Sequence, residues 1–295
     1  PVTVTLLGIN DFHGRIDGNT VAFAGTIEEL RDAASGPVLF LSSGDNIGAS
    51  LFASSVAQDQ PTIDVLNALG LQATAVGNHE FDRGWEDLAG RVTDASDYPQ
   101  LGANVYLAGT ETPALPEYEL LDADGVTVGV IGAVTEETPS LVSPSGIVDL
   151  AFGDPVAAVN RVAAQLTDGD DANGEADVLV ALYHEGAGAG TPDGATLEQE
   201  LAAGGPFATL VNDTSPAVSA IFTGHTHKEY AWSAPIPGTD RTRPVVQTGS
   251  YGERIGEITL TVDPDTGEVA AHTERNVPRT TTPQADLIAQ YPRVA

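Results

Sequence analysis

Short apolar runs rich in β-branched residues recur along the first three quarters of the chain, and helix-like segments separate them. Val2–Ile9 and Val178–His184 are typical strands, and Val21–Ala34 is a typical helix. This alternation predicts an α/β protein built on buried strands. After Tyr230 the pattern is strand and turn only, with a hairpin turn at Asp263–Glu268. The other predicted strands are Pro37–Ser43, Ala73–Gly77, Leu101–Val105, Val126–Val134, Ala220–Gly224, Arg243–Gly249, Arg254–Asp263 and Glu268–Asn276, and the other predicted helices are Thr62–Leu69, Trp85–Ala95 and Pro155–Leu166.

Composition excludes several classes of function. The chain of 295 residues has no cysteine, so thiolate nucleophiles and cysteine-based zinc sites are excluded. It has 42 acidic and 12 basic residues, for a formal net charge of −30. Such a surface repels nucleic-acid backbones and anionic membranes, so we expect no binding of long nucleic acid. No apolar run is long enough to predict a membrane span. Because position 1 is not methionine, we expect any signal peptide or anchor to lie outside this sequence.

Residues that can bind metals follow the predicted strands at their carboxyl ends. Five of the six histidines occupy such positions, and only His272 stands apart on a late strand. Open α/β sheets place sites at this edge, because the loops there converge on one crevice. In an extended segment residues i and i+2 point the same way, so D-x-H and H-x-H pairs can each offer two ligands to one side. The candidate ligands are Asp11, His13, Asp45, Asn78, His184, His225 and His227, with His79 and Asp82 in the same loops.

The chemistry of these side chains predicts a metal centre. Nitrogen and oxygen ligands without sulfur suit Mn²⁺, Zn²⁺ or Fe, and seven ligands exceed the need of one ion. We therefore predict two divalent ions that share Asp45 as a bridge. Two such ions about 3.5–4 Å apart clamp an in-line displacement at phosphorus and activate the attacking water. With Asp11 and Asp45 as the charged ligands, a local positive surplus would attract phosphate despite the acidic exterior.

Five motifs, in their order along the chain, carry a family resemblance. They are INDFHGRI, SSGDNIGAS, AVGNHEFDRG, ALYHEG and FTGHTH. Together they resemble the blocks of the calcineurin-like metallophosphoesterases. GNHEFDRG and the later QTGSYGERIGEI resemble more narrowly the 5′-nucleotidase family of secreted and periplasmic enzymes. The resemblance covers nearly the whole chain. It implies a four-layer α/β/β/α sandwich of two mixed sheets, of the dinuclear metallophosphoesterase type.

The resemblance also implies a role for each site residue. One ion would be held by Asp11, His13, Asp45 and His227, and the second by Asp45, Asn78, His184 and His225. His79 would face the phosphate without binding metal, with Asp82 fixing its tautomer so that it can stabilise developing charge or assist the leaving group. Asn78 and His79 would contact the substrate. Arg15 is a further candidate for a phosphate contact, and a solvated arginine is the alternative for it.

Domain organisation and function follow as expectations from the same resemblance. Residues 1–283 would form the catalytic domain, and 284–295 would begin a helix leading to a C-terminal nucleotide-binding domain that this sequence lacks. The expected activity is removal of phosphate from 5′-nucleotides or related esters, by attack of a hydroxide that bridges two divalent ions. The expected location is secreted, cell-surface or periplasmic. One alternative keeps the site but takes cyclic nucleotides, nucleotide sugars or DNA ends. The other is a non-catalytic, metal-binding surface or adhesion module.

Overall fold

A computed structural model describes residues 1–188 and 193–295. The strands at the centre of the fold agree with the predicted apolar runs, and Val2–Ile9, Val126–Val134 and Val178–His184 have the predicted bounds. In chain order the strands are β1 Val2–Ile9, β2 Val38–Ser42, β3 Ala73–Ala75, β4 Gln100–Leu101, β5 Val105–Leu107, β6 Tyr118–Ala123, β7 Val126–Val134, β8 Leu150–Phe152, β9 Val178–His184, β10 Val218–Thr223, β11 Glu229–Pro235, β12 Thr242–Thr248, β13 Arg254–Val262 and β14 Val269–Pro278.

Ten helices accompany the strands in the described part of the chain. The predicted helix Trp85–Ala95 is present as two short α-helical pieces joined by a π turn at Leu88–Val92. Asp154 caps the longest helix of the second half, because its carboxylate accepts the N–H groups of Val156 and Ala157. The helices are α1 Thr20–Ala33, α2 Phe52–Ser55, α3 Gln60–Ala68, α4 Trp85–Asp87, α5 Thr93–Ala95, α6 Thr138–Leu141, α7 Pro155–Gln165, α8 Leu197–Ala203, α9 Pro206–Asp213 and α10 Gln284–Gln290.

The strands form two mixed sheets of six strands each. The first has the order β14-β13-β1-β2-β3-β4, and the second has the order β11-β12-β10-β9-β7-β6. In the first sheet β1 to β4 run parallel, β13 pairs antiparallel with β1, and β14 pairs antiparallel with β13. In the second sheet β7, β9, β10 and β12 run parallel between two antiparallel edge strands. A small antiparallel pair, β5 with β8, lies outside both sheets.

The two sheets pack face to face over a shared core. Leu6 and Leu41 of the first sheet lie in one buried cluster with Val180, Phe222 and Val246 of the second. On the outer face of the first sheet, α1 and α3 cover a further cluster, and α7 and α9 cover the outer face of the second. The order of layers is therefore helix, sheet, sheet, helix, which confirms the predicted four-layer sandwich.

Several elements differ from the prediction. The strand expected at Leu101–Val105 is wrong, because the chain leaves β4 at Leu101 and starts β5 only at Val105. Asn104 lies between them, and its side chain bonds the N–H and C=O of Val134 in place of a backbone ladder. Strands β6 and β11 and helices α8 and α9 were not predicted. Both strands are sheet edges with partly exposed residues, so their apolar pattern is weak.

The C-terminal residues pack against the first helix of the chain. Leu287 of α10 is fully buried, and its side chain fills the space over Gly25 of α1. The helix expected from residue 284 onward is thus present, and the proposed division of the chain at 283 remains a prediction. In residues 1–188 and 193–295, every helix falls short of the length and apolar character that crossing a membrane requires.

Candidate metal centre

The candidate ligands lie on loops at the carboxyl ends of five parallel strands. Asp11 and His13 follow β1, Asp45 follows β2, and Asn78 follows β3 in the first sheet. In the second sheet His184 ends β9, and His225 and His227 follow β10. Because the two sheets face each other, both sets of loops meet at one edge of the sandwich.

Backbone hydrogen bonds join the first two loops residue by residue. The N–H of Asp11 donates to the carbonyl of Gly44 at 2.9 Å, and the N–H of His13 donates to the carbonyl of Asp45 at 2.9 Å. The pairing continues from Gly14 to Asn46 at 3.0 Å. These bonds hold the side chains of Asp11, His13 and Asp45 in fixed relative positions.

The backbone conformation of the ligand pairs differs from the predicted extended chain. Asp11 and His13 both have φ of 49°, and His225 and His227 have φ of 72° and 58°. Asp45 also lies in the left-handed region, with φ of 54°. The expectation that i and i+2 share a side because the chain is extended is therefore wrong. These sparsely populated conformations cost free energy, and they cluster at functional sites where surrounding contacts enforce them.

The predicted ligand atoms form two adjacent groups, and His79 also lies within 4.8 Å of His13 and Asp45. In the first, Nε2 of His227 lies 3.2 Å from Oδ1 of Asp11, and Nε2 of His13 lies 3.3 Å from Nε2 of His227. In the second, Nε2 of His184 lies 3.1 Å from Oδ2 of Asp45 and 3.2 Å from Oδ1 of Asn78. His225 joins Asp45 and His184 within 4.8 Å. The two histidines of the GHTH motif thus fall into different groups.

Asp45 lies between the two groups. Its Oδ2 is 3.7 Å from Nε2 of His13 and 3.1 Å from Nε2 of His184. Its Oδ1 accepts the backbone N–H of His79 at 2.8 Å, which fixes the rotation of the carboxylate. The geometry is that of a carboxylate able to bridge two ions.

Hydrogen bonds to backbone carbonyls orient two of the imidazoles. Nδ1 of His13 donates to the carbonyl of Gly48 at 2.8 Å, and Nδ1 of His184 donates to the carbonyl of Ser43 at 2.7 Å. The Nε2 atoms therefore face the centre of the site. A carbonyl behind the ring is the usual support of a metal-binding histidine, because it sets the tautomer and raises ligand basicity.

Two further observations fit a cation. Oδ1 of Asp11 is buried and no described residue meets it in hydrogen-bond geometry, although Nε2 of His227 lies 3.2 Å away; Oδ2 accepts from Asn10 and from the N–H of His225. Burial opposes ionisation of Asp11, but the contacts with His13 and His227 outweigh it and hold its pKa well below the ordinary value. Carboxylate oxygen and imidazole nitrogen at these distances suit divalent Mn, Zn or Fe.

The pKa values of the two histidines in the second group, His184 and His225, also fit a site for positive charge. Burial opposes protonation of His184, but Asp45 outweighs it and raises the pKa of His184 to about 10. Burial, together with the charge on His184, lowers the pKa of His225 to about 4. One proton is therefore concentrated beside Asp45, where a bound cation would displace it.

His79 and Asp82 form a pair at the mouth of the site. Nδ1 of His79 lies 2.8 Å from Oδ2 of Asp82, so the Nε2 atom is left free for a substrate. The hydrogen bond to Asp82 raises the pKa of His79 to about 9, although partial burial opposes protonation. About a third of the His79 side chain is exposed, at 32%. A protonated imidazole here can donate to a phosphate oxygen or to a leaving group.

Sequence reasoning missed the residues that position these ligands. Glu80 is buried and accepts the N–H groups of Asp45, Asn46 and Gly77 at 2.6–2.9 Å. Burial, with the charge on Asp45, raises the pKa of Glu80 to about 7. Both its oxygens accept only N–H bonds, so the ionised form matches this geometry. Asn10 donates to Asp11 and to the carbonyl of Gly249. The only sequence signal for them is that each neighbours a predicted site residue, Glu80 next to His79 and Asn10 next to Asp11.

Arg15 and Tyr251 lie on the His227 side of the site. The Arg15 guanidinium stacks 3.7 Å from the centroid of the Tyr251 ring, which is 5.5 Å from the ring of His227. Nε of Arg15 is buried without a hydrogen-bond partner among the described residues. Arg15 is therefore held near the site by stacking. His272 lies apart, where it pairs with Glu274 and Thr242.

Comparison with known proteins adds to this geometry. The family model for the calcineurin-like phosphoesterases matches residues 4–229, which include every candidate ligand. The chain is 29% identical to the endonuclease YhcR of Bacillus subtilis over 91% of its own length and 23% of that protein. It is also 29% identical to a 5′-nucleotidase of Vibrio cholerae, over 84% of this chain and 45% of that one. The chain thus spans less than half the length of these two relatives.

A solved structure shares the fold. The calcineurin-like phosphoesterase YfkN from Bacillus subtilis superposes with a TM-score of 0.75 at 23% identity, over 98% of this chain and 96% of that structure. The sandwich of two sheets is therefore common to both chains.

Proposed function

This chain belongs to the calcineurin-like phosphoesterase family, and from that premise we propose that it hydrolyses phosphate esters with two divalent metal ions. The observation that carries the proposal is the position of Asp45, whose carboxylate lies between one group of Asp11, His13 and His227 and a second of His184 and His225. A bridging carboxylate between two nitrogen-rich groups is the arrangement that a two-ion hydrolase needs.

The proposed ligands of the first ion are Asp11, His13, Asp45 and His227, and those of the second are Asp45, Asn78, His184 and His225. Manganese, zinc or iron suits these nitrogen and oxygen donors. When bound, the ions neutralise phosphate charge and activate the attacking water. The chain itself supplies the orientation, because the loop pairing and the carbonyls of Gly48 and Ser43 hold the ligands in place.

His79 is the proposed acid of the reaction, and Asp82 is its positioning residue. The Asp82 carboxylate lies on Nδ1 of His79, which directs the Nε2 proton toward the substrate phosphate. With a pKa raised to about 9, His79 stays charged at neutral pH. It can then stabilise negative charge on the phosphate or protonate the departing oxygen. Asn78 and Arg15 are proposed phosphate contacts.

The proposed substrates are 5′-nucleotides and related small phosphate monoesters. The similarity to a 5′-nucleotidase supports the substrate class. The similarity to an endonuclease favours a phosphodiester as the second candidate. The net charge of −30 speaks against long nucleic acid, because the approach of a polyanion would be opposed by the exterior.

The test begins with protein stripped of metal by chelation. Phosphate release from AMP is measured with and without added Mn²⁺ or Zn²⁺, alongside hydrolysis of bis(p-nitrophenyl) phosphate and the bound metal per chain. We expect metal-dependent release from AMP and two ions per chain. Faster turnover of the diester would favour the second candidate. Two bound ions without turnover of either ester would instead indicate a binding or adhesion module.

We also propose that the protein acts outside the cytoplasm and beside a C-terminal domain that selects the nucleotide base. The first part rests on the resemblance to secreted and periplasmic enzymes. The second rests on the same resemblance, and the greater length of the relatives, of which this chain spans 23% and 45%, is consistent with it. Cell fractionation of the native host, with mass determination of the endogenous protein, tests both parts.

A further inference from the structure

Arg15 carries a positive charge beside the candidate metal centre, and no carboxylate of the described chain pairs with it. In residues 1–188 and 193–295 no carboxylate oxygen lies within 4.0 Å of its guanidinium, whereas Arg31 and Arg91 each pair with one. Its Nε is buried and has no hydrogen-bond partner in the same residues. The chain has 42 acidic and 12 basic residues, so an arginine kept clear of carboxylates is available to bind an anion from outside the chain.

An aromatic ring holds this guanidinium instead of a carboxylate. Its central carbon lies 3.7 Å from the centroid of the Tyr251 ring. That ring also lies 6.0 Å from the ring of His13 and 5.5 Å from the ring of His227, two of the proposed ligands of the first ion. Stacking uses the face of the guanidinium and leaves the N–H groups, which lie in its plane, free to donate to an oxyanion. An ion pair with a carboxylate would occupy those donors and offset the charge.

Tyr251 has a backbone conformation that costs free energy. Its φ is 62°, in the left-handed region that bulky side chains rarely adopt. Its N–H donates to the carbonyl of Asp11 at 2.8 Å, which helps to hold this conformation. Asparagine adopts the left-handed region more readily, so the turn by itself does not require a tyrosine. Strain of this kind is concentrated at functional sites, and here it places an aromatic ring under Arg15.

The loop that carries Tyr251 is bonded to the loop after β1, which carries Arg15. The side chain of Asn10 donates to the carbonyl of Gly249 at 2.7 Å, and it accepts the N–H and the hydroxyl of Thr248 at 2.8 and 2.7 Å. A Cβ added at Gly252 would lie 2.8 Å from the ring of Phe23 in α1, so the loop fits closely there. Because the two loops are fixed to each other, the stacked pair has a defined position relative to the candidate ligands.

We propose that Tyr251 is a positioning residue, which holds Arg15 against the phosphate of the substrate. This role rests on the proposed function, because it requires a phosphate held at two ions next to His227. Arg15 then donates a charge-assisted hydrogen bond to a phosphate oxygen, and Tyr251 acts only through Arg15. Loss of Tyr251 should therefore weaken phosphate binding, and it should have no further effect once the guanidinium of Arg15 is gone.

The test is a double-mutant cycle in which the affinity for inorganic phosphate is measured. Protein is loaded with Mn²⁺, freed of excess metal and titrated with phosphate in a calorimeter. Arg15→Gln should weaken binding about tenfold, the effect of one hydrogen bond to a charged group. Tyr251→Asn should weaken it about three- to tenfold, and the double variant should bind as Arg15→Gln does. Tyr251→Phe keeps the stacking ring and should bind within about twofold of the wild type.

Control measurements separate positioning from a general effect on charge or folding. Arg275→Gln makes the same charge change on β14, where the side chain is 64% exposed, and should leave phosphate affinity unchanged. The metal content and Tm of Tyr251→Asn should stay close to the wild-type values, because relief of the left-handed strain offsets the lost packing. If Tyr251→Asn loses metal, or weakens phosphate binding equally with and without Arg15, the positioning role is overturned.

Hydrolysis of AMP distinguishes failure of this role from failure of the proposed function. If the wild type cleaves AMP with metal, but Arg15→Gln binds phosphate as tightly as the wild type, the role of the Arg15–Tyr251 pair is overturned and the proposed function stands. If the metal-loaded wild type neither cleaves AMP nor binds phosphate, the proposed function fails and the role of the pair falls with it. Weaker binding in both single variants, without a further loss in the double variant, supports the positioning role.

Discussion

At the scale of single residues, the site depends on backbone conformations that side chains rarely adopt. Ten non-glycine residues of the described chain have positive φ, and five of them are candidate ligands. Left-handed conformations at Asp11, His13 and Asp45 turn their side chains toward one point, while the loop-to-loop hydrogen bonds hold them there. Strain of this kind persists only where the surrounding contacts compensate for it.

Asp82→Asn tests the proposed role of the His79–Asp82 pair. The carboxylate is the main cause of the raised pKa of His79, about 9, so its removal should let that pKa fall toward about 6.5. If protonated His79 is required, activity in the wild type declines only as pH rises through about 9. In the variant the decline should begin at least one pH unit lower. The measurement is kcat against pH from 5 to 10 with AMP. If kcat declines at the same alkaline pH in the variant and in the wild type, the proposed role of Asp82 beside His79 is contradicted.

Gly77→Ala tests how closely the backbone approaches the bridging carboxylate. A Cβ at Gly77 would lie 2.1 Å from Oδ1 of Asp45, and the φ of this glycine is ordinary, so the effect is steric. We expect loss of at least one of the two proposed ions and of most activity, measured by metal content and turnover.

Gly90→Ala is the matched control, because a Cβ there meets nothing within 4 Å. In a helical segment this change should stabilise the protein by roughly 0.5–1 kcal/mol. Full metal content in both variants would show that the Gly77 loop can move away without cost to the site.

At the scale of elements, Glu80 joins the loops that follow β2 and β3. Its carboxylate accepts N–H groups from Asp45 and Asn46 in one loop and from Gly77 in the other. The two loops carry Asp45 and Asn78, the proposed bridging ligand and a proposed ligand of the second ion. A buried carboxylate on a one-turn 3₁₀ helix thus sets the distance between them.

Glu80→Gln should weaken metal binding without removing a ligand. The amide would place one N–H₂ against backbone N–H donors, so at least one buried bond is lost. We expect metal affinity to fall about 10- to 100-fold, as for other changes behind a ligand. Calorimetric titration with Mn²⁺ measures it. Glu86→Gln, on an exposed residue of α4, is the control and should bind as the wild type does. Equal affinities in the two variants would overturn the positioning role.

At the scale of the whole molecule, the candidate metal centre combines residues from loops of both sheets. Asp11, Asp45 and Asn78 come from loops of the first sheet, and His184, His225 and His227 come from loops of the second. Ions held by both sets would oppose separation of the sheets at this edge. Folding and metal binding are then linked, because the unfolded chain offers no preformed site.

Chelation should therefore lower the thermal stability of the protein. Saturation at about 100 to 1,000 times Kd stabilises a folded protein by roughly 3–4 kcal/mol, and that amount should be lost with EDTA. The measurement is Tm in scans with EDTA or with Mn²⁺. Asp45→Asn, which keeps the size of the side chain but weakens both groups, should show a smaller response to metal. An identical response in the two proteins would mean that Asp45 does not bridge the ions.

The apolar pattern of the sequence predicted the central strands well, because nearly every residue in them is buried and apolar runs mark them clearly. The strands β1, β7 and β9 are almost wholly buried runs, and the hairpin turn at Asp263–Glu268 carries its own turn residues. Edge strands β6 and β11 gave no such pattern, because a half-exposed strand mixes apolar and polar side chains. Arg243 shows the same limit: its type suggests the surface, yet it is fully buried and donates to four backbone carbonyls at 2.8–3.2 Å.

The sequence by itself determined the family, the layered α/β/β/α class and the set of polar residues at the strand ends. These are local properties: apolar period, glycine position and motif order are written in neighbouring residues. The family resemblance already implied that His225 and His227 would hold different ions and that Asp45 would be shared, whereas only the tertiary structure decided the left-handed backbone of the ligand pairs and the support that Glu80 and Asn10 give to the ligands. The reason is physical, since contacts between loops of different sheets depend on how those sheets pack, and no short stretch of sequence contains that information.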